Sequence, residues 1–172
     1  RIKKWSVMRY LPLIFLLLLT GSTFAQESFA KRFTSIVIKV QQEYSTDSFE
    51  RKINPLFVTT IASVETADGT FKNADTAKRA KNYTGRHAIG SEEFLLTAGG
   101  VKLKKYNSIE DSIRDFLSLM THSKYYKEFR IAVNKNKSIE DQFKTLSKYA
   151  TNPQYTDILL NRYKQIKKGS LN

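Results

Sequence analysis

The sequence predicts a mainly helical α+β domain, and three observations carry that expectation. Apolar residues recur at helical spacing in three separate stripes. Two segments, Asn107-Ser108-Ile109-Glu110-Asp111 and Lys137-Ser138-Ile139-Glu140-Asp141, place a serine before paired acids. That is the chemistry of a helix N-terminus, where a hydroxyl caps free N–H groups and negative charge suits the helix dipole. Only one stretch alternates loosely as strands do. Phe94-Leu95-Leu96 and Val101-Lys102-Leu103 flank Thr97-Ala98-Gly99-Gly100, which reads as a small hairpin.

The elements follow in order. Arg1, Lys3, Lys4 and Arg9 make a basic start, Leu11–Leu19 an apolar run broken only by Pro12, and Thr20–Ala25 a small, mostly polar close. Positive region, short apolar region and small residues before a cut are the anatomy of a secretory signal peptide, here residues 1–25 with cleavage after Ala25. The other reading, an N-terminal anchor left in place, needs about 20 consecutive apolar residues and finds fewer. Residues 26–172 then form one domain. Phe29, Phe33, Ile36, Val37 and Val40 give the first stripe. Pro55 opens a second helix, Gly69 marks its end, and Leu56, Phe57, Thr60, Ile61 and Val64 share a face. After the hairpin, Ile109, Ile113, Phe116, Leu117 and Met120 give another stripe. Asn152-Pro153 opens the last helix with proline in its first turn, and Tyr155, Ile158, Leu159, Tyr163 and Ile166 line it.

Composition removes whole classes of function. The chain of 172 residues has no cysteine, so it has no disulfide framework, thiol nucleophile or cysteine-held zinc. His87 and His122 are the only histidines, and no paired-histidine spacing exists, so no metal site or cofactor is expected. No glycine-rich phosphate loop and no Gly-x-Ser-x-Gly elbow is present. The net charge is +13; removing residues 1–25 takes four bases and no acids and leaves +9. Those bases are interspersed with acids along the chain, which argues against a nucleic-acid footprint.

One residue type in one place carries chemistry. Glu65 follows Val64 at the end of an apolar helix, where the dipole disfavours a negative charge and burial disfavours it further. A carboxylic acid kept protonated near neutrality can deliver a proton to a leaving glycosidic oxygen. Read from the residues alone, a glutamate that simply reaches solvent at a helix end is the commoner case.

Four segments in order then make the chain recognisable. Pro55-Leu56-Phe57-Val58-Thr59-Thr60-Ile61-Ala62-Ser63-Val64-Glu65-Thr66 resembles the helix that bears the catalytic glutamate in the glucosaminidase family of bacterial peptidoglycan hydrolases. Asn82-Tyr83-Thr84-Gly85 is similar to the family's Asn-Leu-Phe-Gly turn. Tyr106-Asn107-Ser108-Ile109-Glu110-Asp111-Ser112-Ile113-Arg114-Asp115-Phe116 resembles its Tyr-x-Ser-x-x-x-Ser-x-x-Asp-Tyr helix, and Tyr149-Ala150-Thr151-Asn152-Pro153-Gln154-Tyr155 its Tyr-Ala-Thr-Asp-Pro-x-Tyr signature. The similarity spans residues 50–166.

The resemblance implies a lysozyme-like fold with the hairpin beside the cleft. It implies an enzyme that hydrolyses the bond after N-acetylglucosamine in peptidoglycan glycan strands; with the signal peptide, the expected place is the periplasm, the cell wall or the extracellular space. No stable membrane insertion is expected once the signal is removed. Glu65 is implied as general acid and Tyr149 as the cleft tyrosine that orients the acetamido group or the attacking water. Asn82, Gly85 and Tyr155 are implied to face substrate. On chemistry alone, Tyr149 could equally be a core residue with a hydrogen-bonded hydroxyl. A second carboxylate is implied on the hairpin, where Glu93 of Ser91-Glu92-Glu93-Phe94 best matches the family's Thr-x-Glu; a solvated surface charge is the other reading. The chain departs from the family in two places. Thr66-Ala67-Asp68-Gly69 replaces Ser-Gly-Trp-Gly, and Thr84 replaces an aromatic. These departures keep open a non-catalytic, peptidoglycan-binding or scaffold protein on the same fold. They leave the stereochemical outcome to the separation of two carboxyl groups.

Overall fold

The computed structural model describes residues 29–72, 74–146, 149–150 and 152–169. The leader expected over residues 1–25 lies outside them. Among the described residues the helices are α1 (29–43), α2 (Pro55–Thr66), α3 (Asp75–Arg79), α4 (Ile109–His122), α5 (Lys127–Asn134), α6 (Ile139–Lys144) and α7 (Tyr155–Gly169). Single 3₁₀ turns, Glu50–Lys52 and Lys124–Tyr126, precede α2 and α5, and the strands β1 (Phe94–Leu96) and β2 (Lys102–Lys104) lie between α3 and α4. This is the mainly helical α+β, lysozyme-like fold that the sequence led us to expect. No helix among the described residues is long and apolar enough to cross a membrane.

Helix α2 is the axis of the core. The Asn54 side chain accepts the Leu56 N–H at 2.9 Å and Pro55 takes the first helical position, so the start forms as the sequence suggests. The single buried face expected for α2 is too narrow. Every residue from Phe57 to Ser63 is buried, while Leu56 and Val64 are only partly so. The reason is that α2 has neighbours all round. Phe57 stacks on Phe129 of α5 at 4.7 Å and on Phe143 of α6 at 4.9 Å. The hydroxyls of Thr59 and of Thr34 on α1 are 2.9 Å apart, and α7 packs along α2 as well. Threonine and serine tolerate this interior because their hydroxyls are bonded; Thr60 Oγ1, for example, donates to the Leu56 carbonyl at 2.7 Å.

The other stripes behave as periodicity predicts, with local exceptions. Phe33, Val37 and Val40 of α1 and Ile113, Phe116, Leu117 and Met120 of α4 are buried. In α7, Tyr155, Leu159, Tyr163 and Ile166 are buried but Ile158 faces solvent. Ser108 and Ser138 accept the N–H of Asp111 and of Asp141 at 3.0 and 3.1 Å, which confirms both expected caps. Helix α7 begins two residues later than expected. Pro153 sits in a preceding turn, closed by Tyr155 N–H on the Asn152 carbonyl and by Gln154 N–H on the Asn152 side chain.

The hairpin pairs Phe94 with Lys104, Leu95 with Leu103 and Leu96 with Lys102. Its ladder runs on into the segment after Gly85, where Ala88 N–H meets the Lys102 carbonyl and Lys104 N–H the Arg86 carbonyl. The turn over residues 82–85 is therefore attached to the hairpin on one side. On the other side Tyr83 N–H donates to Ser112 Oγ of α4, and the Tyr83 ring packs on Phe33 and Phe71.

Candidate active site

Glu65 is the second-last residue of α2, where the most enclosed helix of the molecule reaches its end. The chain reverses there through three consecutive left-handed residues, Ala67 (φ 48°), Asp68 (φ 59°) and Gly69 (φ 75°). Thr66 closes the turn. Its hydroxyl donates to the Ala62 carbonyl and accepts the Gly69 N–H at 2.8 Å. Thr66-Ala67-Asp68-Gly69 thus builds a defined helix end.

Three segments converge on the Glu65 carboxyl. Tyr155, the first residue of α7, donates its hydroxyl to Oε1 at 2.6 Å. Gly85 presents its Cα to Oε2: a methyl group there would stand 2.5 Å from that oxygen, and the residue has φ +67°. Glycine is required at Gly85 on both counts. Tyr149 stacks on Tyr155 with ring centres 5.7 Å apart, and its hydroxyl donates to the carbonyl of Thr84. Phe116 meets Tyr149 edge-on, and Tyr126 packs on it at a tilt. Burial pushes the Glu65 carboxyl above the usual carboxylate range, and the Tyr155 hydrogen bond offsets only part of that. Burial, followed by neighbouring charge including that of Glu65, drives Tyr149 and Tyr155 upward, so both stay as neutral donors.

The remaining expected residues fall in different places. Asn82 is buried and fully committed to backbone. Its Nδ2 donates to the Arg86 and Lys104 carbonyls at 2.7 and 2.9 Å, and its Oδ1 accepts the Arg86 N–H. It ties the Gly85 turn to the hairpin. Thr84, in the aromatic's place, is buried, and its carbonyl receives Tyr149. Glu93 lies at the hairpin's edge with its side chain three-quarters exposed, paired to Lys105 at 3.3 Å.

A cluster that sequence reasoning did not single out lies beside Glu93. Asp115 of α4 accepts Lys104 Nζ at 2.7 Å and the Tyr106 hydroxyl at 2.9 Å, with Arg86 Nε 3.0 Å away. Glu92 accepts Lys104 at 2.6 Å and caps the Ile89 N–H. Burial alone would raise Glu92, but Lys104, that N–H and Arg86 together bring it below the usual range. The network locks the hairpin and the residue after Gly85 onto α4. Lys104, Tyr106 and Asp115 also wall a cavity of about 480 Å³ with Tyr44, Arg114 and His122. The available signal was Asp115 itself, the aspartate near the end of the Tyr106–Phe116 motif quoted above. No group of three or more potential metal ligands clusters among the described residues.

A family model described as mannosyl-glycoprotein endo-beta-N-acetylglucosaminidase matches residues 41–168. No curated protein matches the chain, and no solved structure does.

Proposed function

Because the chain belongs to the glucosaminidase family, whose members are glycoside hydrolases, we propose that it is an exported enzyme that cleaves the bond after N-acetylglucosamine in peptidoglycan, with Glu65 as general acid. The observation that carries this reading is the environment of the Glu65 carboxyl: desolvated at the end of α2, bonded on one oxygen by Tyr155 and approached on the other by Gly85. A carboxyl so placed holds its proton to higher pH than an ordinary glutamate does. Tyr155 occupies Oε1 as a donor, so the acid's proton resides on Oε2. That proton passes to the glycosidic oxygen as the C–O bond breaks, and positive charge develops on the sugar.

Two groups could complete the reaction. Glu93 can leave its exposed contact with Lys105 at small cost, because such surface pairs are worth about 0–1 kcal/mol. Alternatively, the substrate's acetamido oxygen attacks from within. Tyr149, Asn82 and Gly85 shape the wall by which the sugar is held: Tyr149 through its ring stack with Tyr155, and Asn82 by fixing the turn. Export is part of the reading and rests on the basic, apolar and small-residue order of residues 1–25.

The test is release of reducing ends from purified peptidoglycan, with product masses read by mass spectrometry. Wild type is expected to generate reducing-end N-acetylglucosamine, and Glu65→Gln to bind the wall without cleaving it. Cleavage by Glu65→Gln removes the acid assignment. Binding without cleavage by wild type makes the protein a wall-binding module. Full activity in Glu93→Gln gives the attacking role to the acetamido group.

A further inference from the structure

Asp68 stands in the stretch where this chain leaves the family pattern, and the structure gives it a specific task. Its carboxylate is mostly buried, with 18% of the side chain exposed. One oxygen accepts the Ser63 hydroxyl, one turn before the end of α2. The other lies 3.2 Å from Nη1 of Arg162 on α7, itself only 23% exposed. The direction of the carboxylate is set by backbone, because the Asp68 N–H bonds the Ser63 carbonyl at 2.9 Å and the residue sits in the left-handed region that aspartate tolerates.

Arg162 lies seven residues after Tyr155, two helical turns along the same face of α7. Helix α7 is therefore fastened to the end of α2 at two points. Tyr155 donates to Glu65 at one, and Arg162 grips Asp68 at the other. Both acceptors lie within four consecutive residues. The Tyr155 bond is 2.6 Å, and a helix advances about 1.5 Å per residue. A slide of that size along the bond would carry the hydroxyl out of hydrogen-bond reach.

We propose that the Asp68–Arg162 ion pair is a positioning device for the acid: it fixes α7 along its axis so that the Tyr155 hydroxyl stays on Oε1 of Glu65. The inference rests on the reading of Glu65 as general acid and assigns that site a second layer of control. The titratable groups facing Glu65 are Tyr155 from α7 and Tyr149 from the segment before it; Arg86 acts on Tyr149 from the Gly85 side. Both tyrosines remain protonated, so Tyr155 contact is the variable through which Asp68 reaches the acid.

The experiment is a double-mutant cycle on purified peptidoglycan with Asp68→Asn, Tyr155→Phe and their combination. Asp68→Asn is expected to lower kcat about tenfold with KM unchanged. The basic limb of its kcat–pH profile moves to higher pH, because loss of the Tyr155 bond removes an influence that lowers the Glu65 pKa. In the Tyr155→Phe background Asp68→Asn has no further effect on kcat. Arg162→Lys retains most activity and Arg162→Met behaves as Asp68→Asn; these two keep the test open if Asp68→Asn does not fold. Unchanged kcat and pH limb in folded Asp68→Asn or Arg162→Met, or additive effects in the cycle, overturn the positioning role while Glu65→Gln remains inactive. An active Glu65→Gln overturns the underlying assignment of the acid and this inference with it.

Discussion

Gly85→Ala tests most directly whether the geometry around Glu65 is the source of activity. The added methyl would lie 2.5 Å from Oε2 and 3.1 Å from the carboxyl carbon, against 3.4 Å where ordinary contact begins, so one partner must yield by about 1 Å. The turn has little freedom to retreat. Asn82 holds the Arg86 backbone on both sides, and Lys104 N–H bonds the Arg86 carbonyl. The carboxyl has more freedom and moves, which pulls Oε1 off the Tyr155 hydroxyl. Displacement of a reacting group by about 1 Å costs on the order of 100-fold in rate. The stability cost is separate: a left-handed φ of +67° penalises alanine by about 1 kcal/mol, and overpacking adds about 1–3 kcal/mol. The assay pairs initial rates of reducing-end release with thermal unfolding by circular dichroism. A folded Gly85→Ala protein within threefold of wild-type kcat would show that the Gly85–Glu65 contact does not set the reacting geometry.

Three further outcomes follow from the same contacts. Glu65→Gln should be at least as stable as wild type at pH 7. Glu65 binds its proton more tightly when folded, so wild-type stability falls as pH rises from the unfolded value near 4.5 to the folded one and then levels. The glutamine does not titrate, so its advantage in Tm should grow as pH rises above the unfolded value near 4.5 and then level; a constant difference contradicts the raised pKa. Tyr155→Phe should cost about 1 kcal/mol and move the basic limb of the kcat–pH profile upward, since Glu65 loses the bond that favours its charged form. Asp115→Asn should cost about 2 kcal/mol, because Lys104 and Arg86 lose the charge of one of the two carboxylates they share, Glu92 being the other, and protease cleavage of the hairpin is the sensitive readout.

The helices were legible because burial writes a period into sequence. Phe33, Val37 and Val40, or Ile113, Phe116, Leu117 and Met120, have one dry side and one wet side, and spacing alone finds them. Helix α2 was misjudged for the opposite reason. A helix enclosed by α1, α5, α6 and α7 has no wet side, and its bonded threonines look polar in a one-dimensional pattern. The last helix start was two residues off because proline tolerates both a first helical turn and the turn ahead of it, and only the Asn152 hydrogen bonds decide. At the site, Glu65 was picked out by the resemblance of its helix to the family's, and its place at a helix end made it readable only as a candidate. The Tyr155 bond and the Asp115 network were not, since they join residues from distant parts of the chain that no local spacing relates.

The position of Glu65 and the enclosure of α2 are one fact with two consequences. A carboxyl that must stay protonated near neutrality has to lose water, and a short chain can withhold water best where its core is most complete. Without cysteine, that completeness comes from packing around Phe57 to Ser63, and Glu65 follows two residues later, after the partly buried Val64. The same packing brings α7 alongside, so the tyrosine bonded to Glu65 and the arginine paired with Asp68 arrive on one face. Damage to the core should therefore reach activity before it unfolds the chain. Phe143→Leu, which keeps an apolar side chain of about the right size but loses the stack on Phe57 and the edge contact with Tyr163 of α7, should cost about 1–1.5 kcal/mol. It should lower kcat more than the loss of folded protein accounts for. Rates measured well below Tm decide the matter: a kcat equal to wild type in fully folded Phe143→Leu would mean that the placement of Tyr155 on Glu65 is independent of how α7 packs on the core.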